Sequence, residues 1–157
     1  MSQALSSRTE INDPSVRRVI RFRKRGASLG MTATTTDELI RQLERGLSFK
    51  SLATLERLSG VGAASIASAI GIPERTLARR KAAGRLSPEE SERLFRIATV
   101  FEKAVELFEG DASAAVAWLM APKRALGAQS PLTYSRTEVG AREVENLIGR
   151  LEHGVFS

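Results

Sequence analysis

The chain of 157 residues has no cysteine and a single histidine, His153. Without cysteine there is no disulfide, no thiolate metal ligand and no cysteine nucleophile, a usage compatible with the cytosol. A lone histidine makes a zinc site or a Ser-His-Asp triad a poor fit. No apolar run reaches the roughly 18 residues that mark a membrane-spanning helix. No uninterrupted apolar stretch follows the first charges, so a secretory leader is not expected. Strand patterns and internal repeats are missing too. These absences point to an all-α, cytoplasmic protein that uses no metal or cofactor and no membrane.

What is present is a folded composition with an uneven charge. Hydrophobic residues make up 42% and charged residues 27%, close to globular averages. The net charge is +6, which favours polyanionic partners. It divides as +5 over residues 1–50, +3 over 51–97 and −2 over 98–157. A basic front and a slightly acidic back suggest two jobs.

Residues 1–35 read as a basic, weakly ordered N-terminal arm. Arg17, Arg18, Arg21, Arg23, Lys24 and Arg25 occur there with no acid among them, a pattern suited to a solubilising tail or to loose tracking of phosphates. Val16, Val19, Ile20 and Phe22 could form a short helix within it. From residue 36 the pattern turns helical. Leu39, Ile40, Leu43 and Leu47 recur at helical spacing behind Thr36 or Asp37 as N-cap. A second helix runs from Phe49 to Gly60, and Gly60-Val61-Gly62 is a turn. Third and fourth helices cover residues 63–70 and 74–83, with Gly84 closing the latter. Ser87-Pro88-Glu89-Glu90 is a capping-box start, and Leu94, Ile97, Ala98, Phe101, Ala104, Val105 and Phe108 continue it as one apolar stripe. Asp111 caps a helix over 112–120 that Pro122 ends. Residues 123–136 read as an irregular loop, and Thr137 caps a last helix through His153.

The third and fourth helices carry a helix-turn-helix pattern. Ala67 is the small residue where the helices touch, Gly71 is the turn, and Ile72 and Leu77 are apolar anchors. The outer face of the second helix is basic. Glu74, Arg75, Thr76 and Arg79 are the candidates for base contacts, and Arg80, Lys81 and Arg85 for phosphates. The bland alternative is a solvated charged face in which Glu74 offsets Arg75. Glu89, Glu90 and Glu92 could be imagined as the acids and bases of a hydrolase. They are better explained as first-turn residues favoured by the helix dipole, so no catalytic residue is assigned.

The last third holds the only tryptophan, Trp118, and an apolar pair, Val155-Phe156, next to the final Ser157. Trp118 fits a core position between the 112–120 and 138–153 helices. An aromatic residue after the helix-stopping Gly154 has few neighbours of its own and suits docking elsewhere.

The order of these parts resembles the Xre-type antitoxins of RES-Xre toxin–antitoxin systems, whose C-terminal region belongs to the Xre/MbcA/ParS toxin-binding family. The matching blocks are Gly71 to Lys81, Gly84 to Leu94, Ala117-Trp118-Leu119, Pro122, Ala125-Leu126-Gly127, Pro131-Leu132, Thr137 to Val144 and Leu151 to Phe156. Ala128 departs from the pattern, standing where a second glycine is common, and so does the pair Ser135-Arg136. The resemblance implies a helix-turn-helix DNA-binding domain over 36–110 and a small helical toxin-binding domain over 111–157. It implies a RES-domain toxin, an NAD-degrading enzyme, as partner, its active-site entrance covered by the C-terminal domain. Toxin contact is expected from Trp118, Leu119, Pro122, Leu126, Pro131, Leu132, Arg150, Glu152, His153, Gly154, Val155 and Phe156. Repression of the shared operon through operator DNA is expected of the helix-turn-helix, with a homodimer inside the toxin complex. The alternative is a stand-alone regulator whose C-terminal domain only dimerises.

Overall fold

A single helix, α5 (Pro88–Leu107), organises the molecule, and it starts where the capping box predicts. The Ser87 hydroxyl accepts from the Glu90 N–H, and the Glu90 carboxylate accepts from the Ser87 N–H. Pro88 stands in the first turn, where its missing N–H costs nothing. The apolar stripe is then largely buried: Leu94, Ile97, Ala98, Phe101, Ala104 and Val105 are each at most 5% exposed, and Phe108, at the C-cap, is half-buried. The structure, a computed structural model, describes residues 19–154.

Around α5 the described residues form seven further α-helices. They are α1 (Thr36–Arg45), α2 (Phe49–Ser59), α3 (Ala63–Ala69), α4 (Glu74–Ala83), α6 (Ala112–Met120), α7 (Pro131–Tyr134) and α8 (Glu138–Glu152). Helices α1, α2, α6 and α8 all pack on α5. No strand forms among these residues, only three isolated bridges. No helix among them is long and apolar enough to cross a membrane. The all-α expectation and the sequence-derived helices therefore stand. The N-cap of α1 is Thr35, one residue before the expected pair, because the Thr35 hydroxyl accepts from the Glu38 N–H.

Three local expectations change. First, the basic arm is not loose throughout. Its described part, from Val19, is extended and lies against the body: Val19 bridges Asp111, and the Ile20 N–H donates to the Gly110 carbonyl at 2.9 Å. Val19, Ile20 and Phe22 therefore form no helix, and Val16 lies outside the described residues. The Phe22 ring packs on Phe101 at 5.8 Å between centroids. A 3-10 turn at Ala27–Leu29 follows, and Leu29 and Met31 enter the core. The anchor is Glu102 on α5. Its carboxylate accepts from the Gly26 N–H at 3.2 Å, the Ser28 N–H at 2.9 Å and the Ser28 hydroxyl at 2.6 Å. Local periodicity cannot show a partner more than seventy residues away.

Second, residues 123–136 are not an irregular loop. Lys123 bridges Gln129 around a 3-10 turn at Arg124–Leu126, and α7 follows, capped by Ser130. Third, α6 packs mainly on α5, α7 and α2 rather than on α8. Trp118 is half-buried against the core, with Lys123 Nζ 5.2 Å from its ring centre.

Burial pushes the Glu102 carboxyl above its ordinary value, against the pull of Ser28, Gly26 and nearby Arg25. A raised folded value means that its protonated form favours the fold. That contribution is complete below the ordinary carboxylate pKa and is lost as pH rises through the raised value. Glu102→Gln should remove this acid-side component from a pH series of thermal melts. It should also cost about 1–3 kcal/mol, since a Gln amide cannot accept from all three donors and leaves a buried N–H unpaired. An unchanged pH profile would contradict the raised value, and an unchanged melting temperature would remove Glu102 as the anchor of the strap.

Candidate functional site

The basic surface is built on α3, the turn after it, and α4. Ala67 is buried at the contact between the helices, and its carbonyl accepts from the Ile72 N–H at 2.8 Å. Gly71 takes φ +73°, a left-handed conformation that a side chain disfavours. Ile72 is buried directly after it, and Leu77 packs half-buried against the core. All four residues of the helix-turn-helix pattern thus meet as their types require.

Helix α4 divides into two faces. Glu74, Arg75, Ala78, Arg79, Lys81 and Ala82 are exposed, whereas Thr76, Leu77 and Arg80 are half-buried. Arg75 and Arg79 share one outer line, four residues apart. Neither they nor Lys81 has a hydrogen-bond or ion-pair partner among the described residues, and Glu74 makes no ion pair with Arg75. The small Ala78 and Ala82 between them leave the backbone open to close approach.

The other two cations expected at phosphates have internal partners. Arg80 Nε donates to Glu90 Oε1 at 2.7 Å. Arg85 Nη1 donates to the carbonyls of Gly46 at 2.7 Å and Arg45 at 3.2 Å, closing the end of α1. Sequence spacing puts both on a basic face; only the fold shows these acceptors. Burial raises the Glu90 carboxyl, but the Ser87 N–H, the Arg80 side chain and the Ser87 hydroxyl outweigh it, leaving it below its ordinary value. A lowered folded value stabilises above the ordinary carboxylate pKa and is lost as pH falls through it.

The residues expected to touch a partner protein fall into three groups. Leu119, Leu126 and Pro131 are buried, so they support the surface instead of forming it. Trp118, Leu132 and Arg150 are half-buried. Pro122, Glu152, His153 and Gly154 are exposed. Trp118, Pro122 and Leu132 belong to the α6–α7 end, whereas Arg150 to Gly154 form the end of α8. There His153 Nδ1 lies 2.9 Å from the Gly149 carbonyl. Val155 and Phe156 lie outside the described residues.

The sequence reading missed Met120, which is 52% exposed at the end of α6. It borders a narrow apolar crevice with Val61, Ile66, Val116, Leu119 and Leu132, where the helix-turn-helix meets α6 and α7. An apolar residue at a helix end, just before Ala121-Pro122, was the available signal.

Two tight features shape the α6–α8 region. A Cβ at Gly140 would collide with the Tyr134 carbonyl oxygen, so α8 packs backbone-to-backbone on α7. Ala128 has φ +64°, directly after Gly127 at φ +63°. The chain turns twice in the left-handed region, and alanine occupies the second place. Ser135, the other departure from the pattern, is buried with its hydroxyl donating to the Pro131 carbonyl at 2.7 Å.

Comparison with known proteins covers both halves. Residues 38–98 match the Antitoxin Xre-like helix-turn-helix domain, and residues 103–154 match the Antitoxin Xre/MbcA/ParS C-terminal toxin-binding domain. A protein named Antitoxin Xre from Yersinia enterocolitica is 42% identical over 130 residues, which is 82% of this chain and 88% of that protein. Another Antitoxin Xre, from Photorhabdus laumondii, is 35% identical over 131 residues, 83% of this chain and 88% of its own.

Gly140→Ala should destabilise the chain by about 3 kcal/mol or more, because a backbone oxygen cannot rotate away as a side chain can. Ala128→Gly should stabilise it by up to about 1 kcal/mol, the left-handed cost of alanine less the entropy glycine loses on folding. Urea denaturation of both variants checks these signs; an Ala128→Gly variant that melts earlier would contradict the strain at that turn.

Proposed function

We propose that this chain, which belongs to the Xre antitoxin family, neutralises a partner toxin through its C-terminal half and represses its own operon through α4. The observation that carries the DNA half is the outer face of α4. Arg75, Arg79 and Lys81 stand there without partners among the described residues, on the helix that a helix-turn-helix lays in the major groove. Arg75, in the first turn, and Arg79, one turn further on the same face, reach base edges, and Lys81 tracks a phosphate. Backbone contacts hold the register and base contacts supply the specificity. Two such modules in a homodimer would read two half-sites one helical turn apart.

The toxin half of the reading is supported by the match over residues 103–154 and by the exposed end of α8. The partner is a RES-domain toxin that degrades NAD, and the antitoxin acts by covering the entrance to its active site. Glu152, His153 and Gly154 lead to the contact, and Val155-Phe156 supplies its apolar tip. Trp118, Pro122 and Leu132 form a second contact beside it. Such a protein works in the cytoplasm, at the nucleoid when it occupies its operator.

Removing residues 154–157 should abolish protection against the toxin encoded beside this gene while leaving operator binding intact. Growth and cellular NAD on co-expression read the first, and band shifts the second. Full protection by the truncated chain would refute the covering role of the tail. Failure of any toxin to co-purify, with a solitary gene, would favour a stand-alone regulator. On the DNA side, Arg75→Ala and Arg79→Ala should each cost about 1–3 kcal/mol of operator binding, with relaxed sequence preference.

A further inference from the structure

A recognition helix discriminates sequence only if its outer face is turned squarely to the groove. Helix α4 has little to set that rotation. None of its residues is fully buried, and its N-cap, Pro73, offers no side-chain hydrogen bond. Its principal packing partner is the short helix α3. Backbone bonds tether the ends, from Ile72 to Ala67 and from Phe49 to Gly84. Between the tethers, the inner face offers only Thr76, Leu77 and Arg80.

Arg80 is the residue that ties α4 to the buried helix. Its Nε lies 2.7 Å from Glu90 Oε1, with the two side chains 30% and 10% exposed. The same carboxylate oxygen accepts from the Ser87 N–H at 2.8 Å. Glu90 is therefore already held by the start of α5 before it meets Arg80. A carboxylate so placed answers to both bonds at once.

We propose that Arg80 and Glu90 form a positioning pair that sets the rotation of α4, so that Arg80 aims Arg75 and Arg79 instead of binding phosphate itself. The inference rests on the DNA-binding reading above. It gives a sign opposite to simple electrostatics. Removing the negative charge of Glu90 near a polyanion should strengthen binding; removing a positioning group should weaken it.

The test uses the full chain and a labelled duplex from immediately upstream of its own gene, beside a scrambled duplex of equal length. Binding is measured across a salt series for Arg79→Gln, Arg80→Gln, Arg80→Lys and Glu90→Gln. Arg79→Gln, which removes a base contact, should weaken binding to the upstream duplex while lowering the salt slope by less than the roughly 0.9 of a lost phosphate contact. Arg80→Gln should weaken binding to the upstream duplex about tenfold, some 1.4 kcal/mol, and Glu90→Gln should weaken it in the same direction by a smaller factor, each with the slope unchanged and the scrambled duplex little affected. Arg80→Lys should restore most of the loss. Glu90→Gln keeps an oxygen that can accept from both the Ser87 N–H and Arg80 Nε, so α5 stays capped, as helical content by circular dichroism verifies, and the variant removes only the charge that strengthens the Arg80 bond. A reduced slope for Arg80→Gln together with tighter binding by Glu90→Gln would overturn the proposal and make Arg80 a phosphate ligand. A double-mutant cycle in thermal stability showing no coupling between Arg80 and Glu90 would also overturn it. Failure of the wild-type chain to bind either duplex would instead remove the operator reading beneath it.

Discussion

Burial of α5 on nearly every side is the constraint from which the rest follows. A twenty-residue helix with Leu94, Ala98 and Ala104 at zero exposure cannot be stable alone in water, since its apolar surface exceeds one stripe. It needs neighbours on several faces. Helices α1, α2, α6 and α8 and the 3-10 turn at 27–29 supply them. Residues matched to the helix-turn-helix domain end at 98 and those matched to the toxin-binding domain begin at 103, so both draw on this one helix.

Several polar residues of α5 reach out to other elements. Glu90 reaches α4, and Arg93 donates to the Ile70 carbonyl at the helix-turn-helix turn. Arg96 donates to the Arg136 carbonyl, Glu102 holds the N-terminal strap, and Lys103 pairs with Glu145 on α8 at 3.1 Å. Each spans from the central helix to a different element. Apolar packing supplies most of the cohesion because it scales with area. These directional bonds set the angles at which neighbours sit, which area alone does not. A surface that must meet a groove or a protein in one orientation depends on that second contribution.

Much of this was legible along the chain. The capping box at Ser87 to Glu90, the apolar stripe to Val105, the glycine turn at 71 and the caps at Asp111 and Thr137 are short-range patterns. Their chemistry is complete within a turn or two of helix. The order of the blocks from Gly71 to Phe156 carried the family. What stayed hidden depended on distant partners. The strap from Val19 to Met31 has no helical or strand period of its own, because Glu102 and Phe101 order it from outside. Arg80 and Arg85 look like any other basic residues until Glu90 and the end of α1 are brought beside them. Leu119, Leu126 and Pro131 match the family pattern, but burial makes them supports for the surface around Trp118.

The sequence by itself determined the longer helices, several of their caps, the helix-turn-helix spacing and the family, since each rests on neighbours within reach of local backbone geometry or on the order of motifs. Only the tertiary structure decided which charges are available. Arg75, Arg79 and Lys81 face outward on α4, while Arg80 and the exposed Arg85 are engaged by acceptors on other elements. It also decided that the basic N-terminal segment from Val19 is part of the body. The physical reason is common to both: a charged or polar group is committed by the partner it meets on folding, and that partner can lie anywhere in the chain.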